Sequence, residues 1–147
     1  MARNIAVLRS PVRDVFAVLA DPATYAYWVV GSDEIRDADA SWPAVGAKLH
    51  HRVGAGPFKI NDNTEVLEVS EPWRLVLQAR VRPFGTARII MELIDLGDGT
   101  QVTMTEVPGD RFSRLLHNPL TDAILRRRND VALKRLAELA ARRPAVA

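Results

Sequence analysis

Hydrophobic and polar residues alternate along the middle of the chain, from about residue 33 to residue 107. A period of two is typical of strands that bury one face and expose the other. Turn-forming residues interrupt the alternation at 54–57, 71–72, 83–85 and 97–99. Since adjacent strands joined by short turns pair antiparallel, the pattern predicts a sheet of six or seven antiparallel strands.

Helical spacing replaces the alternation near both ends of the chain. After a short predicted strand at 5–8, apolar residues recur with a helical period through 12–19, where Ser10 is expected to cap a helix that opens at Pro11. A second short helix is predicted from Pro22 to near Gly31. Residues 114–143 are predicted as one long amphipathic helix. Its predicted apolar arc contains Leu120, Ile124, Leu125, Val131, Ala132, Leu136 and Leu139.

The order of these elements predicts the architecture. A long antiparallel sheet must bury one face, and the terminal helix is the one long partner that the sequence offers. A curved sheet wrapped around a helix leaves room between them for a small apolar molecule. The 147 residues are expected to form one α+β domain, residues 1–147, with two short helices after the first strand.

Composition and charge exclude several classes of function. The chain has no cysteine, and neither a Gly-x-Gly-x-x-Gly motif nor a phosphate loop, so disulfides, thiol chemistry and nucleotide cofactors are not expected. No apolar segment is long enough for a membrane span, and a cytoplasmic protein without a cofactor is predicted. Residues 111–147 carry nine Arg and Lys against three Asp and Glu, a net +6 that leaves −4 elsewhere. Because these charges are interleaved with an apolar stripe, we interpret them as a solvated helix face and not as a nucleic-acid site.

Several segments resemble the helix-grip (START, Bet v 1-like) superfamily, in particular its bacterial polyketide cyclase/dehydrase-like or SRPBCC branch. The segments that carry the resemblance are Ser10-Pro-Val-Arg-Asp-Val-Phe16, Asp21-Pro-Ala-Thr-Tyr25 with Trp28, Trp42-Pro-Ala-Val-Gly46, Thr64 to Pro72 before Arg74-Leu-Val-Leu77, and Gly99-Thr-Gln-Val-Thr103. The resemblance implies a curved sheet of six to seven strands wrapped around a long C-terminal helix. It specifies activity poorly, because the superfamily includes ligand carriers and aromatase/cyclases.

His51 leads the candidates for chemistry. Neighbours on a strand point to opposite faces, so parity with Leu49 places His51 on the inner face and His50 on the outer face. A neutral inward histidine could serve as a general base or contact a ligand. The alternative is a hydrogen-bonded core histidine.

The predicted hairpin brings an acid close to His51. Pairing Val53 with Phe58 sets His51 opposite Ile60, with Asp62 inward and diagonal to the imidazole. A buried carboxylate there would orient or charge the histidine, whereas an Asp62 in the polar 61–63 stretch would be solvated.

Glu106 is the third polar residue whose parity points inward. It would lie near the mouth of the pocket, or it would be an exposed acid at the end of a strand. His51, Asp62 and Glu106 are thus the catalytic candidates, and because no tight spacing links them we predict no metal site.

The remaining candidates are predicted to line the pocket. Arg128 falls within the apolar arc of the helix, where it either lies over apolar surface with its head in water or contacts an anion in the pocket. The predicted ligand-binding residues are Tyr25, Trp28, Leu49, His51, Val53, Leu77, Ala79, Ile89, Met91, Met104, Glu106, Leu120, Ile124 and Arg128.

The leading hypothesis is a protein, monomeric or homodimeric, that binds a hydrophobic small molecule such as a lipid, polyketide or aromatic metabolite. Two alternatives are a cyclase/dehydratase-type enzyme that uses His51 with an acid, and an interaction protein that uses the basic helix face.

Overall fold

Seven antiparallel strands form one sheet in the order β1-β7-β6-β5-β4-β3-β2. The computed structural model describes residues 1–29, 32–55, 58–80 and 85–143. The strands are β1 (Ala2–Leu8), β2 (Ser32–Ala38), β3 (Lys48–Ala55), β4 (Phe58–Ser70), β5 (Arg74–Arg80), β6 (Thr86–Asp95) and β7 (Thr100–Pro108). The helices are α1 (Val12–Leu19), α2 (Tyr25–Trp28), α3 (Arg111–Leu115) and α4 (Pro119–Ala141), with a 3₁₀ turn at Pro22–Thr24. The predicted α+β helix-grip fold is confirmed.

The sheet grows by neighbouring hairpins from β2 to β7, and β1 closes it by pairing with β7. Sequential hairpins follow from the short turns that the sequence predicted. The strand before α1 pairs from Ala2 opposite Glu106 to Leu8 opposite Thr100, so the first strand lies beside the last one. Within the described residues no helix is long and apolar enough to cross a bilayer.

Half of the inner sheet face carries the core. Leu75 and Leu77 of β5 and Met91 and Leu93 of β6 are buried there, together with Val102 of β7. The helices that cover these strands contribute Phe16 from α1, Trp28 from α2 and Leu133 and Leu136 from α4. Burial of such side chains is the main term that favours the folded state, at roughly 1.5–3 kcal/mol each.

The other half of the inner face is covered less completely. Ala79 of β5 and Ala87 and Ile89 of β6 are inner-face positions, yet all three are only half-buried. Two of the three are alanines, whose small side chains leave space above the sheet. The helix α4 packs chiefly on β1, α1 and α2 and does not fill that space.

The terminal helical segment is two helices, which corrects the prediction of one helix over residues 114–143. The helix α3 ends at Leu115 and α4 begins at Pro119. Asn118 has an extended backbone, and its side chain accepts a hydrogen bond from Thr121 N at 3.0 Å. Because Pro119 lacks an N–H and disfavours helix at the residue before it, the chain restarts there and does not continue the first helix.

The buried face of α4 also differs from the predicted arc. Its buried residues are Asn129, Ala132, Leu133, Leu136 and Ala140, whereas Leu120 is 70% exposed and Ile124 is 59% exposed. At about 100° per residue, the buried face is rotated from the predicted arc by roughly a quarter of a turn. The predicted arc gave weight to Leu120, Ile124 and Val131, which the fold leaves outside the core.

The first helix starts one residue later than predicted. Its N-cap is Pro11, in an extended conformation and with no side-chain cap, so Ser10 does not cap the helix. Instead Ser10 accepts a hydrogen bond at its carbonyl from Thr100 Oγ1 at 2.8 Å, which ties the chain to β7. The predicted end of α2 near Gly31 lies outside the described residues, and the helix itself ends at Trp28.

Candidate functional site

An open groove of about 360 Å³ lies between the less covered half of the sheet and the two C-terminal helices. Its floor comes from β6 and β7 and its wall from α3 and the first half of α4. The residues that line it are Gly85, Thr86, Ala87, Glu106, Val107, Pro108, Ser113, Leu116, His117, Thr121, Ile124, Leu125 and Arg128. We call this feature the groove. Most of its surface is apolar, which suits an apolar ligand.

Sheet register explains why the groove lies at this end. Thr64 on β4 pairs with Ala79, Ala79 with Ala87, and Ala87 with Pro108, so these residues form one row across four strands. Large side chains in that row would fill the space against the helices, but two of its members are alanines. The groove therefore follows from the sequence of the row as well as from the position of α4.

An ion pair joins the floor of the groove to its wall. Arg128 Nη2 lies 2.6 Å from Glu106 Oε1 and 2.8 Å from Glu106 Oε2. The Glu106 side chain is 6% exposed and that of Arg128 is 36% exposed. A buried carboxylate requires a partner, and this arginine supplies it. The Arg128 head therefore rests on Glu106 at the groove and is not free in bulk water.

Hydrogen bonds hold α3 against β6 at the edge of the groove. Asp110 caps α3 by accepting from Ser113 N at 2.8 Å, and it also accepts from Thr86 N at 3.1 Å. These hydrogen bonds, chiefly that from the Ser113 backbone, lower the pKa of Asp110 from its ordinary value. Gly85 allows the approach, since a Cβ at its position would lie 2.7 Å from Asp110 Oδ1. These hydrogen bonds tie the segment between β7 and α3 to the start of β6.

A charged cluster lies at the start of α4, where His117 borders the groove. The Met1 ammonium lies 3.0 Å from Asp122 Oδ1, and His117 Nε2 lies 3.2 Å from the same oxygen. The pKa of Asp122 is lowered, chiefly because its carboxylate accepts a hydrogen bond from that ammonium. The cluster holds the start of β1 to the junction between α3 and α4.

His51 and Asp62 lie side by side on the inner face, with a register that differs from the predicted one. Val53 pairs with Ile60 and His51 with Asp62, two residues further along β4 than the predicted pairing of Val53 with Phe58. The strand β3 extends into the predicted turn, to Ala55, and β4 begins at Phe58, directly after that turn. A shift of two residues preserves the face, so the predicted inward orientation of His51 and Asp62 is confirmed by their burial.

Thr64 links this pair to the groove end of the sheet. His51 Nε2 lies 2.9 Å from Thr64 Oγ1, and both residues are buried. Because Thr64 belongs to the same row as Ala87 and Pro108, the His51 cluster and the groove lie at the same end of the inner face. His50, on the outer face, lies 3.9 Å from Asp39.

Glu106 does not join the His51 cluster. It lies on β7, and both β6 and β5 stand between β7 and β4. At about 4.8 Å per strand that order puts several strand spacings between the two sites along the sheet. Among the described residues no group of three His, Asp or Glu side chains is arranged to hold a metal ion. The three catalytic candidates therefore form two separate sites.

The predicted ligand-binding residues divide into groove, core and surface positions. Glu106, Ile124 and Arg128 line the groove, and Ala79 and Ile89 are half-buried beside it. Leu120 is exposed, and the side chain of Val53 lies outside the described part. The core holds Tyr25, Trp28, Leu49, Leu77, Met91 and Met104.

Tyr25 belongs to a buried aromatic cluster with Trp28 and Trp42 that packs its rings closely. Its hydroxyl donates to Leu19 O at 2.6 Å, and its ring lies 4.7 Å from that of Trp28 and 5.4 Å from that of Trp42, between centroids. Burial raises the pKa of the Tyr25 phenol above its ordinary value. The aromatics pack the short helices on the sheet. Tyr25 and Trp42 donate to Leu19 O, and Trp28 Nε1 donates to Thr24 Oγ1.

The predicted ligand-binding residues did not include the groove residues around the helix break or at the start of β6. Ser113 lies on α3, Leu116 and His117 lie between α3 and α4, and Thr86 begins β6. The Asn118-Pro119 pair was the available signal, because it marks a new helix start and therefore a bend in the wall.

The chain matches known folds along nearly its whole length. The family described as Activator of Hsp90 ATPase homolog 1-like protein matches residues 9–130. No curated protein matches. A solution structure of a protein from Arthrobacter aurescens is similar, with a TM-score of 0.73 and 16% identity over 97% of this chain and 86% of that one.

Two crystal structures are similar in the same way. A protein from Nitrosomonas europaea has a TM-score of 0.73 and 20% identity, covering 95% of this chain and 92% of that one. DynU16, a putative protein in the dynemicin biosynthetic locus, has a TM-score of 0.69 and 19% identity, covering 96% of this chain and 47% of that one. At these identities the likeness shows the fold alone. Because the family match spans most of the residues, this chain belongs to the Activator of Hsp90 ATPase homolog 1-like family of the SRPBCC superfamily.

Proposed function

We propose that the protein binds a hydrophobic small molecule in the groove between β6, β7 and the C-terminal helices. The observation that carries the proposal is the less completely covered part of the inner sheet face on β5 and β6, where Ala79, Ala87 and Ile89 are only half-buried. Apolar surface of this kind gains free energy when a ligand removes it from water, at roughly 25 cal/mol per Å².

The size and lining of the groove support a single small ligand. Its volume of about 360 Å³ falls within the range of roughly 300–1,000 Å³ that small-molecule pockets occupy. Leu116, Ile124 and Leu125 form an aliphatic wall opposite Ala87 and Pro108. In this proposal the protein is a cytoplasmic binding protein, and its groove is complete within one chain.

Filling the groove tests the proposal. Ala87→Trp is expected to weaken binding of the neutral apolar dye Nile red at least tenfold, because the indole would occupy the space above the row. The matched control is Arg88→Trp, which adds the same side chain to the exposed face of the same strand. Fluorescence titration measures both variants against the unchanged protein. Equal loss in both, or dye binding that Ala87→Trp leaves intact, would contradict the proposal.

A second candidate function is proton transfer on a poly-β-keto substrate, as in a cyclase or dehydratase. The observation that favours it is the buried His51, paired in register with Asp62 and 2.9 Å from Thr64 Oγ1. A histidine oriented by hydrogen bonds can exchange a proton near neutral pH. DynU16 shares the fold and comes from a biosynthetic locus, which is consistent with this candidate.

Isotope exchange tests the second candidate. The protein should accelerate exchange of the α-protons of an acetoacetyl thioester in D₂O, followed by NMR, and His51→Gln should lower that acceleration by about 10²-fold or more. His50→Gln is the control, since it makes the same change on the opposite face of β3. Exchange at the buffer rate with the unchanged protein, or equal rates for both variants, would remove the enzymatic candidate.

A further inference from the structure

We infer that the ligand of the groove carries an anionic head group, a carboxylate on an aliphatic or aromatic body, and that this head group binds Arg128. The inference rests on the proposed function, since it names the chemical class of the molecule that the groove would take. It is argued from the hydrogen-bonding groups that line the groove and from the charge around its mouth.

Most polar side chains of the groove are already engaged. Thr121 Oγ1 donates to Asn118 O and accepts from Asn118 N, both at 2.9 Å, within the cap of α4. Ser113 Oγ donates to Asp110 O at 3.1 Å, and Thr86 Oγ1 donates to Asp110 Oδ2 at 3.3 Å. These groups hold the helices in place, and a ligand that used them would have to break the hydrogen bonds that cap α3 and α4.

Arg128 retains donors that no described residue uses. Its Nη2 alone contacts both oxygens of Glu106, and its Nε and Nη1 make no hydrogen bond to any residue in the described ranges. A guanidinium presents five N–H donors and no acceptor, so what it offers a ligand is donation. The group that matches is an acceptor, and a carboxylate is the acceptor whose hydrogen bonds to arginine are strongest.

Glu106 makes a cationic ligand the weaker choice. Its carboxylate is buried beneath Arg128, and both of its oxygens already accept from that residue. An amine would have to displace the guanidinium from a partner held at 2.6 Å. An acid needs only to approach the other side of the guanidinium, where Glu106 does not lie.

Charge around the groove also favours an anion. From Asp110 to Arg128, the chain carries five arginines and two acids, Asp110 and Asp122. Asp122 is engaged by the Met1 ammonium and His117, and Asp110 accepts hydrogen bonds from Ser113 and Thr86. A cleft bordered by an excess of positive charge raises the local concentration of anions and speeds their association. The first turns of α4 beside the groove add their positive helix end.

Three ligands that share one ten-carbon chain test the inference: decanoate, methyl decanoate and decylamine. In displacement of Nile red from the unchanged protein, decanoate is expected to bind most tightly. Arg128→Gln should weaken decanoate about tenfold or more while leaving the ester within about twofold. Arg127→Gln is the control, because it removes the same charge from the adjacent exposed position outside the groove.

Glu106→Gln supplies a prediction of opposite sign. Removing the competing carboxylate while keeping its shape should tighten decanoate several-fold. Equal binding of acid and ester, unaffected by Arg128→Gln, would overturn the inference but leave the proposed function standing, as would an amine that binds most tightly. Failure of the dye and all three ligands to bind would instead remove the proposed function itself.

Discussion

Replacing Leu133 with alanine is expected to lower the free energy of unfolding by about 3 kcal/mol. The Leu133 side chain is 2% exposed and belongs to the core cluster with Leu136 and Phe16. Truncation removes buried methyl groups and leaves a cavity in the core, which adds to the lost burial. For a chain of this length, the midpoint of thermal unfolding should fall by roughly 6–12 °C.

Ile124→Ala is the matched control on the same helix. Ile124 is 59% exposed and faces the groove, so its truncation is expected to change the free energy of unfolding by under about 0.5 kcal/mol. The apolar arc predicted from sequence implies the opposite, a larger loss of stability for Ile124→Ala than for Leu133→Ala, because it includes Ile124 and omits Leu133. Denaturant unfolding of the two variants therefore decides between two rotations of α4. A larger loss for Ile124→Ala than for Leu133→Ala would contradict this prediction.

The difference between the two rotations shows where sequence periodicity stops being sufficient. Both faces of α4 carry leucine or isoleucine. The hydrophobic period therefore predicts that a helix forms there, but it does not predict which side of the helix is buried. The choice depends on the break at Asn118-Pro119, which sets the direction from which α4 approaches. It also depends on contacts to β1, such as Asn4 Nδ2 donating to Asp130 Oδ1 at 2.7 Å.

Strand parity was the more robust signal. It placed His51, Asp62 and Glu106 on the inner face, and all three are buried. Parity survived even where the hairpin register was wrong, because the shift was of two residues. What parity could not supply was position across the sheet. Strand order separates Glu106 from His51 and brings it to Arg128, a residue of a different element 22 positions later in the chain.

The pocket candidates illustrate the same limit. An inner-face leucine such as Leu77 gives the same sequence pattern whether it packs under a helix or borders a groove. Only the placement of α1 and α4 over one half of the sheet makes Leu77 core and leaves Ala79, two residues along the same strand, half-buried. Small residues in the row from Thr64 to Pro108 were visible in the sequence, but their alignment required the register of three hairpins.

The second large effect is expected at the ion pair between floor and wall of the groove. Arg128→Gln should lower the free energy of unfolding by about 2 kcal/mol, because it leaves the Glu106 carboxylate buried without its cation. The value is below the 3–5 kcal/mol typical of a fully buried pair, since Arg128 is 36% exposed and water screens it. Glu106→Gln should cost about 1 kcal/mol, because the freed guanidinium can reach solvent.

A double-mutant cycle separates the pair from its surroundings. If Arg128 and Glu106 interact as the distances of 2.6 and 2.8 Å indicate, the double variant should lose about 1–2 kcal/mol less than the sum of the single variants. Urea unfolding at neutral pH measures all four proteins, and Arg127→Gln controls for loss of charge from α4. Additive losses would mean that the arginine only covers apolar surface with its stem. A positive coupling would instead show that the groove contains a cation held in place and partly neutralised before any ligand arrives, which is the arrangement that lets an incoming acid bind without reorganising the wall.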